Sequence, residues 1–335
     1  MIKPLKGVQA GLAQALERFC HQDYPGPIQI VFGVHDAADP AIGVVRELQR
    51  AHPSLDIELR IDPRIHGSNL KASNLINIVA AAKHDVLILS DADILVTADY
   101  VRTVVGALGE PGVGLVSTFY VGEARGGMWA RLSAMAINYQ FMPGAILSKM
   151  LGLEEPCFGS TIALTRDVLE RVGGFATFAD YLADDYEIGV RIARAGYRVE
   201  LGGETVETTV PAYDFRGFWD HQLRWARSTR DSRRWGYVGL GITYCIPWAA
   251  LNCIASGFAL WSFTLLSLVL LARVSVALTI GVGLLRDEQV LRDIWLLPLR
   301  DFFALGFWAW SFASDTVVWR GEGFKLKHGR ISRIP

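Results

Sequence analysis

Between Trp235 and Leu285 the chain has almost no charge: Arg273 is the one ionised side chain in about fifty residues. Such a stretch excludes an ordinary solvated surface, and it is long enough for two membrane spans of roughly 20 apolar residues each. The chain also lacks a charge excess. Its formal net charge is −1, without the basic footprint of a nucleic-acid binder. Cysteine is scarce. Cys20, Cys157, Cys245 and Cys253 have neither metal-type nor disulfide-framework spacing. That pattern points to a reducing compartment for the globular part, with Cys245 and Cys253 as packing residues in the apolar run. The opening Met1-Ile2-Lys3-Pro4 lacks the apolar core of a secretory signal.

What is present divides the chain in two. Hydrophobic residues make up 51% of it, concentrated toward the end. Before them, short apolar runs alternate with helical spacing. Strands are expected at 28–34, 57–61, 85–89 and 114–117, and helices at 42–51, 69–82 and 99–108. This alternation predicts an α/β domain with a mostly parallel sheet covered by helices on both faces. Ligands of such sheets bind beyond the carboxyl ends of the strands, where Asp36 and Asp91 fall. Residues 1–235 are read as the catalytic domain, 236–320 as a membrane region and 321–335 as a basic tail.

Spans are expected at about 239–258 and 262–284, with a third candidate at 299–319 that carries Arg300, Asp301 and Asp315. The cluster Arg224, Arg227, Arg230, Arg233 and Arg234 precedes the first span and places the domain on the cytoplasmic side. A third crossing would put the basic tail on the opposite side, against the same tendency. Residues 126–152 hold Met128, Met135 and Met142 at intervals of seven. They read either as an interfacial amphipathic helix or as a buried core helix.

Four signals carry chemistry. Asp91 and Asp93, in Ser90-Asp91-Ala92-Asp93 after a strand, present two hard oxygen ligands to one Mg²⁺ or Mn²⁺. Asp36 offers a carboxylate to a nucleobase edge, or else serves as a turn residue before Pro40. Asp184, Asp185 and Glu187 crowd three acids into four positions. That crowding suits a base with a tuned pKa, or an acidic helix start. His221-Gln222-Leu223-Arg224-Trp225 offers a guanidinium for phosphate and an aromatic wall, or a juxtamembrane basic, aromatic belt.

In this order the signals resemble a processive-type, inverting GT-A glycosyltransferase, and most of all the ceramide glucosyltransferases and their bacterial relatives, including the hopanoid-biosynthesis glycosyltransferase. The likeness runs through Lys3-Pro4-Leu5-Lys6-Gly7, Gly67 to Leu75, the Asp91–Asp93 segment, Pro156-Cys157-Phe158-Gly159-Ser160, Leu182 to Tyr186 and Arg224-Trp225. It implies that Asp36 meets the uracil of a UDP-sugar, with Lys71 and Asn74 on the donor side. It implies that Asp91 and Asp93 hold the donor phosphates through the metal, and that Asp185 is the general base. His221, Arg224, Trp225, Asp184 and Cys157 are assigned by the same likeness to the diphosphate and acceptor. Two departures stand out: His221 occupies a position that is usually Gln or Arg, and Met1 begins inside the expected first strand, where relatives carry an earlier span. The apolar spans and the basic cluster before them predict a multi-pass protein facing the cytoplasm, and the compact chain without eukaryotic targeting signals points to a bacterial inner membrane. By the resemblance it would transfer a hexose or N-acetylhexosamine to a lipid hydroxyl, of ceramide or a hopanoid polyol. A polysaccharide synthase would need more spans, and a non-catalytic scaffold would have lost its acids.

Overall fold

The computed structural model describes the chain except residues 10, 154–156, 320 and 335. Pro156 of the Pro156-Cys157 segment therefore lies outside the described residues. Two units are present: Met1–Tyr120 with Ala145–Thr209, and Val121–Gly144 with Val210–Pro335.

The first unit begins with β1 (Ile2–Pro4), α1 (Leu12–Cys20), β2 (Gln29–Val34), α2 (Ala41–Ala51) and β3 (Asp56–Ile61). It continues through α3 (Leu70–Val79), β4 (Val86–Leu89), β5 (Ile94–Leu95), α4 (Tyr100–Leu108) and β6 (Val113–Ala124). Strand order is β3-β2-β1-β4, then β7 (Ile162–Thr165), β6, β8 (Arg198–Val210) and β5. The half from β3 to β4 is parallel, and β7 runs antiparallel to β4 and β6. Alternate strand residues face opposite sides. Ile30 and Phe32 of β2 enter one core with Leu16, Phe19 and Tyr100, while Val31 enters another with Leu75, Leu87 and Leu89. Burial on both faces is why these strands read as continuous apolar runs. Gly33 in β2 is required by close packing: a Cβ there would fall 2.1 Å from Asn74 Oδ1.

Two helices complete this unit beside the sheet, α7 (Arg166–Arg171) and α8 (Asp184–Arg194). The segment expected as one helix over 126–152 is α5 (Met128–Ala136), a π-helical turn (Ile137–Phe141) and α6 (Met142–Met150). Its methionines are not equivalent. Met135 and Met142 are buried, whereas Met128 is 42% exposed.

The second unit packs Leu132, Met135 and Tyr139 against Phe218 and Leu223 of α9 (Phe215–Ser232) and against later helices. These are α10 (Arg234–Thr243), α11 (Cys245–Ala255), α12 (Leu260–Leu278), α13 (Val290–Asp293) and α14 (Leu297–Ser311). The first expected span is broken: α10 and α11 meet at a 56° bend. Pro247 lacks an N–H, and its ring clashes with a helical carbonyl four residues earlier, at Thr243 where α10 ends. The second expected span is one helix, Leu260–Leu284, long and apolar enough to cross a membrane, with little of its surface buried.

The third expected span, 299–319, is not one helix. α14 stops at Ser311, and Thr316–Trp319 form β9 of a three-stranded antiparallel sheet with β10 (Glu322–Lys327) and β11 (Arg330–Arg333). Fifteen helical residues reach only about 22 Å at 1.5 Å each, short of a ~30 Å hydrocarbon core. The charges within α14 explain its place. Asp301 accepts two hydrogen bonds from Arg273, each 3.0 Å, and Arg300 donates to Gln222 Oε1 at 3.0 Å.

Candidate active site

The site of the first unit is assembled where β4 ends. Asp91 and Asp93 occupy the turn between β4 and β5. A lysine of the first strand holds this turn from below. Lys3 is fully buried; its Nζ donates to Ser90 Oγ (2.7 Å) and to the Asp91 carbonyl (3.1 Å), and lies 3.3 Å from the centroid of the Phe19 ring. Burial pushes its pKa well below the usual lysine value, against the upward pull of Asp91 and Asp93.

Lys71 comes from the first turn of α3. Asn69 caps that helix by accepting from the Ala72 N–H (3.0 Å), and its side-chain amide donates to the Tyr181 carbonyl (2.7 Å). The Ser68 N–H donates to Asp180 (2.8 Å). These bonds tie the start of α3 to the loop before α8. They bring Lys71 toward the acids of α8 as well as to Asp91, whose Oδ1 is 2.6 Å from its Nζ. Although burial opposes its charge, Asp91, Asp184 and Asp185 together raise the Lys71 pKa.

Asp184 and Asp185 open α8, where the helix dipole favours negative charge. Asp185 is fixed through both oxygens. Oδ2 accepts from the Gly159 N–H and Oδ1 from the Tyr186 N–H, each at 2.8 Å. Gly159 lies in a turn closed by the Thr161 N–H to the Phe158 carbonyl (3.2 Å) and pinned by Ser117 Oγ, which accepts from the Phe158 N–H at 2.9 Å. A Cβ on Gly159 would sit 3.1 Å from Lys71 Nζ and 3.3 Å from both Asp185 Oδ2 and Asp91 Oδ2. Asp91 of the metal-type pair and the expected base, read separately in the sequence, thus converge on one glycine.

Electrostatics follow from this crowding. Burial first, and the Asp91 charge second, raise Asp93 to about 6. Burial also raises Asp184 to about 6, with Lys71 opposing, and raises Asp185. Asp184 Oδ2 is buried without a hydrogen-bond partner. Burial pushes up the thiol of Cys157 and the phenol of Tyr120, and Asp185 adds to both.

Other expected residues sit differently. Asp36 is exposed beyond the end of β2, and its Oδ1 accepts from the Ala38 N–H (2.8 Å). Asn74 is buried and donates to the carbonyls of Gly33 (2.7 Å) and Leu5 (3.4 Å), so its amide binds the strand ends. His221, Arg224 and Trp225 lie on α9 in the second unit. There Tyr213, His221 and Trp225 form a row of rings with centroids 5.3 and 5.2 Å apart. Burial, with Arg224 adding to it, lowers His221 to about 3, so its imidazole is neutral near pH 7.

Sequence reasoning did not single out Lys3, Gly159 or Tyr120 as site residues. Lys3 and Gly159 stood inside quoted motifs without a role. Tyr120 lay beyond the expected strand 114–117 and had no signal; β6 extends past it, and it packs edge-on against Phe158, ring centroids 5.6 Å apart.

The donor set suits a hard divalent cation. Asp91, Asp184 and Asp185 act together on the Lys71 ammonium, and Asp91 and Asp93 on Lys3. A cation would relieve the penalty that raises Asp93. Among the described residues these acids do not form a three-ligand cage; the one such trio is Glu17, His21 and His52. In that trio both imidazole Nε2 atoms lie 2.8 Å from Glu17 Oε1, as hydrogen bonding requires. Two carboxylates completed by substrate phosphates and water are the usual provision for Mg²⁺.

The chain is similar to ceramide glucosyltransferase 1 of Caenorhabditis elegans, 22% identical over 98% of this chain and 72% of that protein. It is similar to an N-acetylglucosaminyltransferase of Bradyrhizobium diazoefficiens, 28% identical over 66% of this chain and 46% of that protein. Among solved structures it resembles a Pyrobaculum calidifontis mannosyltransferase in complex with GDP-Man and Mn²⁺. That likeness has a TM-score of 0.54 and 22% identity, and covers 93% of this chain and 84% of that one. It identifies the fold as a GT-A-like glycosyltransferase fold. The pattern of glycosyl transferase family 21 matches residues 1–332, and the chain belongs to that family of glycosyltransferases.

Proposed function

We propose that the protein transfers a hexose or N-acetylhexosamine from a UDP-sugar to a lipid hydroxyl, with inversion at the anomeric carbon. The observation that carries this reading is the convergence of Lys71, Asp91 and Asp185 on Gly159. It brings Lys71 and Asp91, read as the diphosphate end, into one site with Asp185, read as the base. In a single displacement the anomeric carbon would lie between them, with the acceptor hydroxyl and the leaving diphosphate on its opposite faces. The lipid acceptor is supported by the ceramide glucosyltransferase relative and by the charge-poor helix Leu260–Leu284, which suits an enzyme working on a membrane-borne substrate.

Each residue has a role in this reading. Asp185, held at both oxygens, takes the proton of the acceptor hydroxyl. Lys71 releases Asp91 and turns to the donor diphosphate. Asp91 and Asp93 would hold Mg²⁺ or Mn²⁺, which when bound neutralises charge on the departing nucleotide. Lys3 keeps their turn in place. Asp36, exposed at the end of β2, serves the uracil, and Asn74 keeps the strand ends beneath it together. Cys157 and Asp184 line the acceptor side of the turn that holds Gly159. For His221, Arg224 and Trp225 a role toward diphosphate and acceptor rests on the resemblance alone. In this reading the protein works at the cytoplasmic face of a bacterial inner membrane, which the arginine cluster before the apolar segment supports.

The test is product structure. Purified enzyme is given UDP-glucose or UDP-N-acetylglucosamine with ceramide or a hopanoid polyol, and the anomeric coupling of the lipid product is read by NMR. A β-linked glycolipid from the α-linked donor supports the reading. An α-linked product would contradict the single displacement.

A further inference from the structure

The apolar segment from Arg234 to Leu284 is bracketed by two sets of polar ties within the second unit. Before it, α9 carries Arg227, Arg230 and Asp231. After it, Asp287 Oδ2 accepts hydrogen bonds from Asn138 Nδ2 (2.8 Å) and Tyr139 Oη. Asp293 accepts from Arg131 Nε at 2.8 Å. The Ala124 N–H donates to Gln289 Oε1 at 2.9 Å. Asn138 and Arg131 belong to the helical segment that directly follows β6. The chain therefore comes back, after its apolar excursion, to the α5 segment of the second unit, which packs against α9, the helix it left from.

A second closed loop follows. From Asp293 the chain runs through α14 to β9, and β9 is tied to α9. Arg227 Nη1 donates to the Thr316 carbonyl, Arg230 donates to the Ser311 carbonyl and to Asp315, and the Gly329 N–H donates to Asp231. Both ends of α14 are thus fastened to the same part of the second unit. Along its length, Trp308 Nε1 donates to the Tyr237 carbonyl at 2.8 Å. Buried Arg300 and Asp301 meet Gln222 of α9 and Arg273 of α12.

Resting on the reading that this is a membrane enzyme, we propose that only Arg234–Leu284 enters the bilayer, as a helical hairpin. Among the described residues, the segment returns to the face it left, α14 does not cross, and the β9–β11 sheet lies on the same membrane face as α9. The hairpin is α11 against α12, joined at a turn in which Cys253 Sγ contacts the Ser262 carbonyl at 3.3 Å. Its tip and arms present Phe258, Leu260, Trp261, Leu268 and Leu271, each more than half exposed, to hydrocarbon. The sheet instead turns Lys325 and Lys327 outward from β10, while Phe324 and Leu326 point into its core. In this topology these lysines and the arginines of α9 share one membrane face. The charge pattern that three crossings would have split across the membrane is then kept on a single side.

The test uses membranes from cells expressing the full chain, as sealed vesicles of known orientation. Single cysteines are introduced at Arg216→Cys, at the exposed start of α9, and at Lys327→Cys. An impermeant maleimide is applied, and labelling of the unsubstituted chain is subtracted. Labelling of both positions from the same side is expected. Labelling from opposite sides would overturn the topology. Alkaline carbonate washing separates this from the membrane reading. A protein retained in the pellet but labelled from opposite sides defeats the hairpin alone, whereas a protein released by the wash defeats the membrane reading and the hairpin with it.

Discussion

The backbone N–H of Gly159 donates to Oδ2 of Asp185 at 2.8 Å, and the space beside its Cα is bounded by Lys71, Asp91 and Asp185. No side chain can be added there without moving a charged group. Gly159→Ala is therefore expected to lower turnover at least tenfold, while the melting temperature shifts by only a few degrees, about 1 kcal/mol or less. Paired turnover and thermal unfolding measurements check it. Wild-type turnover in Gly159→Ala would remove the glycine from the site.

Asp185→Asn keeps the shape of the side chain and removes its basicity. Transfer should fall by about 10²–10⁴, the usual worth of a general base. UDP-sugar affinity should change little, because the donor contacts are assigned to other residues. Titration of the variant with UDP-sugar, beside a turnover assay, separates the two. Equal loss of donor binding would withdraw the base assignment.

How much of this was legible beforehand depended on whether a feature is local. The strands with continuous apolar runs, the Asp91–Asp93 turn and the acids opening α8 could be read because each lies within a few residues. The convergence at Gly159 could not: it joins segments near positions 71, 91, 159 and 185, which only the sheet brings together. Lys3 was hidden for a similar reason. A lysine is rarely buried unless paired, and its partners, Ser90 and the Asp91 carbonyl, are distant in sequence. The third apolar stretch misled because its composition suited a span, while the partners that hold Arg300 and Asp301 inside a packed unit lie on other helices.

The Asp184 carboxyl gives a pH signature. Its folded-state value of about 6 is above the ordinary ~3.9 of an unfolded chain. The native state binds the proton more tightly, so this contribution to stability is full below about pH 4 and is lost as pH rises through about 6. Asp184→Asn should flatten that dependence and stabilise the metal-free protein at pH 7.5 by on the order of 1 kcal/mol. Denaturant unfolding at pH 5 and 7.5 measures it. A variant that loses stability equally at both values would contradict the buried-charge account.

The methionines spaced by seven should behave differently from one another. Met135→Gln puts an amide among the buried residues of the second unit and should cost about 2 kcal/mol. Met128→Gln, 42% exposed, should stay within about 0.5 kcal/mol. Thermal unfolding of the two variants in the same detergent decides the point, and equal effects would contradict the packing described.

The most direct test of the central claim is UDP release by the detergent-solubilised enzyme supplied with a UDP-sugar, with and without lipid acceptor, Mn²⁺ and EDTA, alongside Asp93→Ala. Release that requires both lipid and divalent metal, that EDTA abolishes and that Asp93→Ala does not support is the predicted result. Undiminished release in EDTA, or from Asp93→Ala, would contradict a metal-assisted transfer at this site.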